Sequence, residues 1–330
     1  MKIIVDGMGG DNAPQDIVQG AVQAVNEFHI DIIIVGKEKV IEKELDKYNY
    51  PNERIEVLDA QDIITNEDDP AMAIRRKKDS SMVVGLRALK EGIGDGFVSA
   101  GNTGALLAGG MLIVKRIKGV DRAALASVYP NLNSISLLVD AGANVDSKPD
   151  YLRQFALMGS IYMENVMAIN NPKVGLVNIG AEEGKGNQLV KEAYYLLKDA
   201  NINFIGNLEG RDLPQGEADV IVCDGFAGNI VLKTTEGVAI SLFSQLKEVL
   251  TSNIKSKLGA ILLQSELKSL KSQLDYREYG GAPLLGTQKP IVKAHGSSDA
   301  YAIKNAIGQM ISFINKDVIN IISKNISVED

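Results

Sequence analysis

Between an apolar run, Gly96 to Ala100, and a helical pattern, Leu106 to Lys115, the chain carries Ser99-Ala100-Gly101-Asn102-Thr103-Gly104-Ala105, a turn of small and polar residues. Such a turn exposes several backbone N–H groups together. At a strand end that opens a helix, they add to the helix dipole and make a site for an anion, most often a phosphate. Apolar runs also end in Gly7-Met8-Gly9-Gly10-Asp11-Asn12, in Asp140 to Asn144, in Asn178 to Gly180 and in Asp224 to Asn229. His295, followed by Ser297 and Ser298 at the start of a C-terminal helix, is a donor to a bound phosphate, a general acid or a structural histidine. Lys185 and Arg211 are candidate cations, with ordinary surface charge as the rival reading. Cys223, at the end of a buried strand, reads as an inert core residue rather than a thioester-forming nucleophile.

A nucleotide site is not indicated. Gly180-Ala181-Glu182-Glu183-Gly184-Lys185-Gly186 has the outline of a phosphate loop but lacks its glycine spacing and the hydroxyl residue after the lysine. No Gly-x-Gly-x-x-Gly follows the first strand. One cysteine and two histidines leave no soft-metal cluster, although a hard-metal site assembled from distant carboxylates stays open. No metal and no cofactor are expected. A net charge of -7 argues against nucleic-acid binding. Two basic islands stand out on this acidic chain: Arg75-Arg76-Lys77-Lys78, and Lys115, Arg116, Lys118 and Arg122.

The elements that must position these residues alternate between strand-like and helix-like runs, the pattern of an α/β protein with a mostly parallel sheet. Strands are predicted at Ile32 to Val35, Leu137 to Val139, Val174 to Ile179, Asn203 to Ile205 and Val220 to Cys223, with helices over Asp150 to Ala168 and Ser298 to Ile322. With 330 residues, 45% hydrophobic, the chain is long enough for two lobes. The expected division is residues 1–148 with 290–330 as the first lobe and 149–289 as the second, the C-terminal helix returning to the first. From Thr234 to Tyr276 only helical spacing is present, with stripes at Leu258, Ile261 and Leu262 and at Leu263, Leu267, Leu270 and Leu274, and Gly259 as the expected hinge. Between Lys247 and Lys271 five lysines stand against Glu248 and Glu266, which makes that stretch basic. It packs internally, pairs with a second subunit or rests on an anionic membrane surface; the two stripes favour the dimer contact. The first residues read straight into a strand without a secretory pattern, and no apolar stretch approaches bilayer length, so a cytoplasmic protein is expected.

Val5 to Asp11, Ser99 to Ala105, Asn207-Leu208-Glu209-Gly210-Arg211-Asp212, Cys223 to Asn229, Tyr279 to Gly286 and Ala294 to Ser298 resemble, in order along the chain, the signature segments of the PlsX family, the phosphate acyltransferases of bacterial phospholipid synthesis. The resemblance implies a two-lobed α/β/α sandwich of the isocitrate/isopropylmalate dehydrogenase type, shared with phosphate acetyltransferases. It also implies transfer of a fatty acyl group from acyl carrier protein to inorganic phosphate. Phosphate is then the nucleophile, so no Ser-His or Cys-His pair is required. On this reading Asn102, Thr103 and Gly104, with Asp6, Gly9, Ser99 and Ser297, bind substrate; Lys185 and Arg211 supply charge; Asn229 or His295 meets the carbonyl oxygen; and Asp224 orients. The acidic carrier would dock on Arg75, Arg76 and Lys77 or on Lys115, Arg116 and Lys118. The implied partners are a second copy of the chain and a membrane glycerol-3-phosphate acyltransferase, met at the inner face of the cell membrane through Leu258, Ile261 and Leu262. A phosphotransacylase acting on acyl coenzyme A and a non-catalytic acyl or phosphate binder remain as alternatives.

Overall fold

The structure is a computed structural model describing residues 1–273 and 276–326. Its strands are β1 Lys2–Asp6, β2 Asp31–Gly36, β3 Ile55–Asp59, β4 Gly96–Ser99, β5 Ala124–Pro130, β6 Ile135–Val139, β7 Lys173–Asn178, β8 Asn203–Glu209, β9 Val220–Val222, β10 Gly281–Leu285 and β11 Ile291–Ala294. Its helices are α1 Gln15–Phe28, α2 Glu38–Leu45, α3 Pro70–Arg76, α4 Ser81–Glu91, α5 Thr103–Gly109, α6 Pro149–Asn165, α7 Gln188–Asp199, α8 Gly225–Thr251, α9 Ile254–Leu262, α10 Gln264–Gln273, α11 Ala300–Asn315 and α12 Val318–Ile326. A wider helical turn, Gly110–Val114, continues α5.

The strands form one sheet in the order β3-β2-β1-β4-β11-β10-β5-β6-β9-β7-β8. Its pairs are parallel except β11 with β10, β10 with β5 and β5 with β6. The fold is therefore α/β with a mostly parallel sheet, as the alternating pattern predicts. Central strands covered on both faces must be apolar throughout, and Ile3, Ile4 and Val5 of β1 and every residue of β4 are buried. Each such aliphatic side chain contributes about 1.5–3 kcal/mol on burial. The β10–β11 hairpin stitches the halves together, because β11 runs parallel to β4 while β10 pairs with β5. These two strands, like β3 and β5, are absent from the strands predicted above.

Helix starts at the sheet's carboxyl edge are fixed by side-chain caps, each worth about 1 kcal/mol. Asn102 accepts from the Ala105 N–H at 2.9 Å to start α5, and Asp224 accepts from the Ala227 N–H at 2.8 Å to start α8. Ser80 and Asp299 do the same for α4 and α11.

Several expectations change. The C-terminal helix is broken at Lys316 and Asp317, where φ of 51° at Asp317 turns the chain. α11 returns to the first half, with Ile303, Ala306, Ile307 and Met310 in its core, but Val318, Ile322 and Ile326 of α12 join the core of the second half. That second core also contains Ile117, Val120, Ala124, Leu137 and Val139, so the hydrophobic core does not divide at residue 148. Gly259 lies inside α9 rather than at a hinge; the breaks fall at Asn253, which caps α9, and at Leu263. Leu274 lies outside the described residues.

Candidate active site

At the junction of the halves a cavity of about 310 Å³ is lined by Thr103, Asn229, Lys233, Glu236, Lys293 and His295, with Gly142 and Tyr279 to Ala282 completing its wall. Lys293, like Lys233, is a residue that sequence reasoning missed. It sits on β11 opposite Ser99 of β4 and is only 7% exposed. Its ammonium donates to the carbonyl oxygens of Ala100, at 3.3 Å, and Ala294. Burial, reinforced by the nearby Lys233 charge, lowers its pKa to about 8, against the pull of Asp6 and Asp11.

Lys233, on the third turn of α8, brings a second ammonium. Its Nζ lies 2.8 Å from Glu236 Oε2 and 2.9 Å from His295 Nε2. An ammonium only donates, so Nε2 accepts from Lys233, while Nδ1 lies 2.8 Å from Ser297 Oγ and 3.3 Å from the Ser297 backbone nitrogen. Desolvation and the Lys233 charge hold His295 below its ordinary pKa, so the imidazole is neutral near pH 7. Asn229 projects from the second turn of α8 beside Gly142, whose φ of +132° favours glycine and whose added Cβ would stand 3.6 Å from Asn229 Oδ1. Buried Asp140 holds that neighbouring loop by accepting from the N–H groups of Leu125, Ala143 and Asn144.

The remaining sequence candidates fall into different places. Asp6, Gly9 and Ser99 lie beneath the Ser99–Ala105 turn rather than in the cavity. Ser99 donates to Asp6 Oδ2 at 2.7 Å and accepts from the Gly101 N–H, and a Cβ on Gly9 would meet Asp6 Oδ2 at 2.5 Å. Burial raises the Asp6 pKa even against these hydrogen bonds. Asn102 spends its side chain on the cap and on the Thr65 carbonyl oxygen, so of this turn it is Thr103 that faces the cavity. Gly104 is needed for packing: its Cβ would stand 2.8 Å from Pro70 Cγ. Asp224 is a cap, and Ser297 an exposed partner of His295. Lys185 and Arg211 are exposed and outside the lining, set against Glu182, and against Glu209 and Asp212, on loops after β7 and β8 at the sheet's far edge. Cys223 is buried, with its thiol pushed well up by desolvation and by Asp140 and Asp224, which fits the core reading. Among the described residues no cluster of His, Cys, Asp and Glu could hold a metal ion.

The basic islands lie toward the same end of a helix pair. α3 packs along α5, with Pro70 beside Gly104 and Ile74 beside Gly109, so Arg75 and Arg76 lie toward the end that continues to Lys115, Arg116 and Lys118. Lys77 is tied to its own loop through Asp68 and the Ile63 carbonyl oxygen, both at 2.8 Å.

This arrangement offers two ammonium groups, a neutral imidazole, an amide and a hydroxyl around one small space. The family described as "Fatty acid synthesis protein" matches residues 1–321. A "Phosphate acyltransferase" of Alkaliphilus oremlandii is 59% identical over 327 residues, 99% of this chain and 98% of that one. One of Clostridioides difficile is 53% identical over 99% of this chain and 96% of its own. Among solved structures, a phosphotransacetylase from Streptococcus pyogenes superposes with a TM-score of 0.63 at 17% identity, covering 96% of this chain and 94% of its own. A 4-hydroxythreonine-4-phosphate dehydrogenase from Klebsiella pneumoniae gives 0.53 at 11% identity, covering 95% and 99%. These two share the fold. With the family matched along nearly its whole length and its relatives bearing one enzyme name, the chain belongs to the fatty acid synthesis protein family and is an acyltransferase.

Proposed function

We propose that this acyltransferase moves a fatty acyl group from acyl carrier protein to inorganic phosphate, giving acyl phosphate and free carrier thiol. The observation that carries the reading is the pairing of Lys293 and Lys233 around one cavity, a setting for a small dianion, with Thr103 beside them. No side-chain nucleophile is needed. Phosphate oxygen attacks the thioester carbonyl, forming the O–C bond and sending the carbonyl electron pair to oxygen, where the Asn229 amide donates to it. Collapse breaks the C–S bond, and sulfur leaves with that electron pair. The proton that phosphate loses ends on the thiolate, and neutral His295 carries it on Nε2 once the Lys233 ammonium turns from that nitrogen to the phosphate. Holding both reactants in one cavity supplies the rest of the acceleration.

Carrier protein docks on Arg75, Arg76, Lys115, Arg116 and Lys118, at the far end of the helix whose first residue, Thr103, faces the cavity. From Thr103 to Lys115 is about 18 Å at 1.5 Å per residue. The α8–α10 arm serves the dimer and the membrane: Leu258, Ile261 and Leu262 are 58%, 66% and 82% exposed, too much apolar surface on one short helix for an unpartnered face. No helix among the described residues is long and apolar enough to cross a membrane. The protein thus works at the cytoplasmic face of the bilayer and passes acyl phosphate to a membrane glycerol-3-phosphate acyltransferase. The test incubates purified protein with palmitoyl carrier protein, with and without phosphate, and measures free thiol. Phosphate-dependent release is expected. Release from palmitoyl coenzyme A but not from the carrier would reject the donor, and no release would reject the reaction.

A further inference from the structure

A second, larger cavity of about 830 Å³ runs along α8, floored by Ser127 to Pro130 of β5 and closed by α9 and α10. It is continuous with the polar cavity, because Ser127, Val128, Leu232 and Glu236 line both. Beyond that shared mouth the walls are chiefly apolar, with Ala239, Phe243, Leu246, Leu250 and Leu267. A hydrogen bond of 3.1 Å between Tyr129 Oη and Thr235 Oγ1 fastens α8 to β5 near the mouth, so the two cavities meet at a fixed place. We infer that this groove is the binding site for the hydrocarbon chain of the acyl donor, with the thioester carbonyl at the polar mouth and the methyl end lying short of Leu246.

Three observations choose this occupant. Continuity with the reaction cavity is what a thioester demands, since its polar and apolar parts are covalently joined. The volume is that of a small-molecule site lined mainly by hydrophobic side chains. The length is sufficient: Leu232 to Leu250 covers about 27 Å of helix axis, while one leaflet of bilayer acyl chains is about 15 Å thick. Outside the groove lining, α8 also carries the exposed apolar residues Phe226, Val238, Leu242 and Val249.

The inference rests on the acyl-transfer reading, and its test separates the two. Ala239→Trp blocks the groove about 10 Å from Leu232, and Leu246→Trp about 20 Å from it. With phosphate and carrier thioesters, Ala239→Trp should lower kcat/KM for palmitoyl relative to octanoyl by about tenfold or more, and Leu246→Trp should leave that ratio near the wild-type value. Binding of palmitate, read by displacement of cis-parinaric acid without phosphate or carrier, should weaken in parallel in Ala239→Trp. Should Ala239→Trp fail to fold, Ala239→Leu replaces it in both assays. Equal losses on both chain lengths in both variants overturn the inference. So does unchanged palmitate binding in Ala239→Trp, or a change of oligomeric state by light scattering with the chain-length ratio unaltered, which would make the groove a subunit contact. If no phosphate-dependent transfer occurs at all, the displacement assay still decides whether the groove holds the chain.

Discussion

Replacing Lys293 by Met tests the chemistry of the cavity and the thermodynamics of the buried ammonium together. A hydrogen bond to a charged group is worth about 1.5–3 kcal/mol, so losing the ammonium should cut kcat/KM for phosphate by about 10- to 150-fold while the KM for the acyl donor changes little. The folded-state pKa of about 8 lies below the ordinary 10.5. Between those values the unfolded chain binds more protons than the folded one, so wild-type stability rises as pH increases from about 8 toward 10.5. Below pH 8 the buried charge costs the fold roughly 3 kcal/mol. The Met variant sheds that cost and forfeits two hydrogen bonds from the ammonium to the Ala100 and Ala294 carbonyl oxygens, about 1.5–3 kcal/mol each. At pH 7 it should range from as stable as the wild type to about 3 kcal/mol less stable, and its stability should lack the rise above pH 8. Wild-type activity should fall as pH passes about 8, where the ammonium is lost. Urea titrations at pH 7 and 9.5, with phosphate kinetics across the same range, measure all of this. A Met variant with an unaltered phosphate KM and kcat, or with the wild-type pH dependence of stability, would refute the reasoning.

Reversing Arg75 and Arg76, or Lys115 and Lys118, to Glu should raise the KM for carrier thioester severalfold and spare that for phosphate; equal effects on both would reject the docking face. Gly104→Val should lower stability by about 1–3 kcal/mol through the clash with Pro70, visible as a reduced melting temperature, and alter phosphate KM only as far as the fold yields. Gln at Leu258, Ile261 and Leu262 should abolish sedimentation with anionic liposomes and keep cavity kinetics intact; unchanged liposome binding would remove the membrane role of α9.

Much of the site's frame was legible in the sequence, because strand-end loops with caps announce themselves locally. The loops at Ser99 and at Asp224 to Asn229 follow strands as read, although Asp224 caps α8 rather than orienting a reactant. Strand order was not legible. Lys185 and Arg211 also follow strands, but β7 and β8 lie at the edge of the sheet, whereas the cavity forms where β4, β11, β10, β5 and β6 converge. Lys293 escaped because Ile291-Val292-Lys293-Ala294 is too short to register as a strand without its neighbour β4, which is remote in sequence. A lysine inside an apolar run two residues before His295 was the available signal. Asn102 was misassigned for a related reason: a capping asparagine and a ligand-binding one have the same local pattern, and only the geometry distinguishes them.

The placement of β11 beside β4 also has a consequence for the order in which a ribosome can finish the molecule. β1, β2, β3 and β4 are synthesised early, but the neighbour that covers the open edge of β4 comes from Ile291–Ala294. At 5–20 residues per second, on the order of 10–40 s separate the two. Throughout that interval Phe97 and Val98 present an unpaired apolar edge to solvent, the kind of template that invites pairing with another chain. A nascent chain stalled before Ile291 should therefore engage holding chaperones through β4 and release them once β11 has been threaded between β4 and β10.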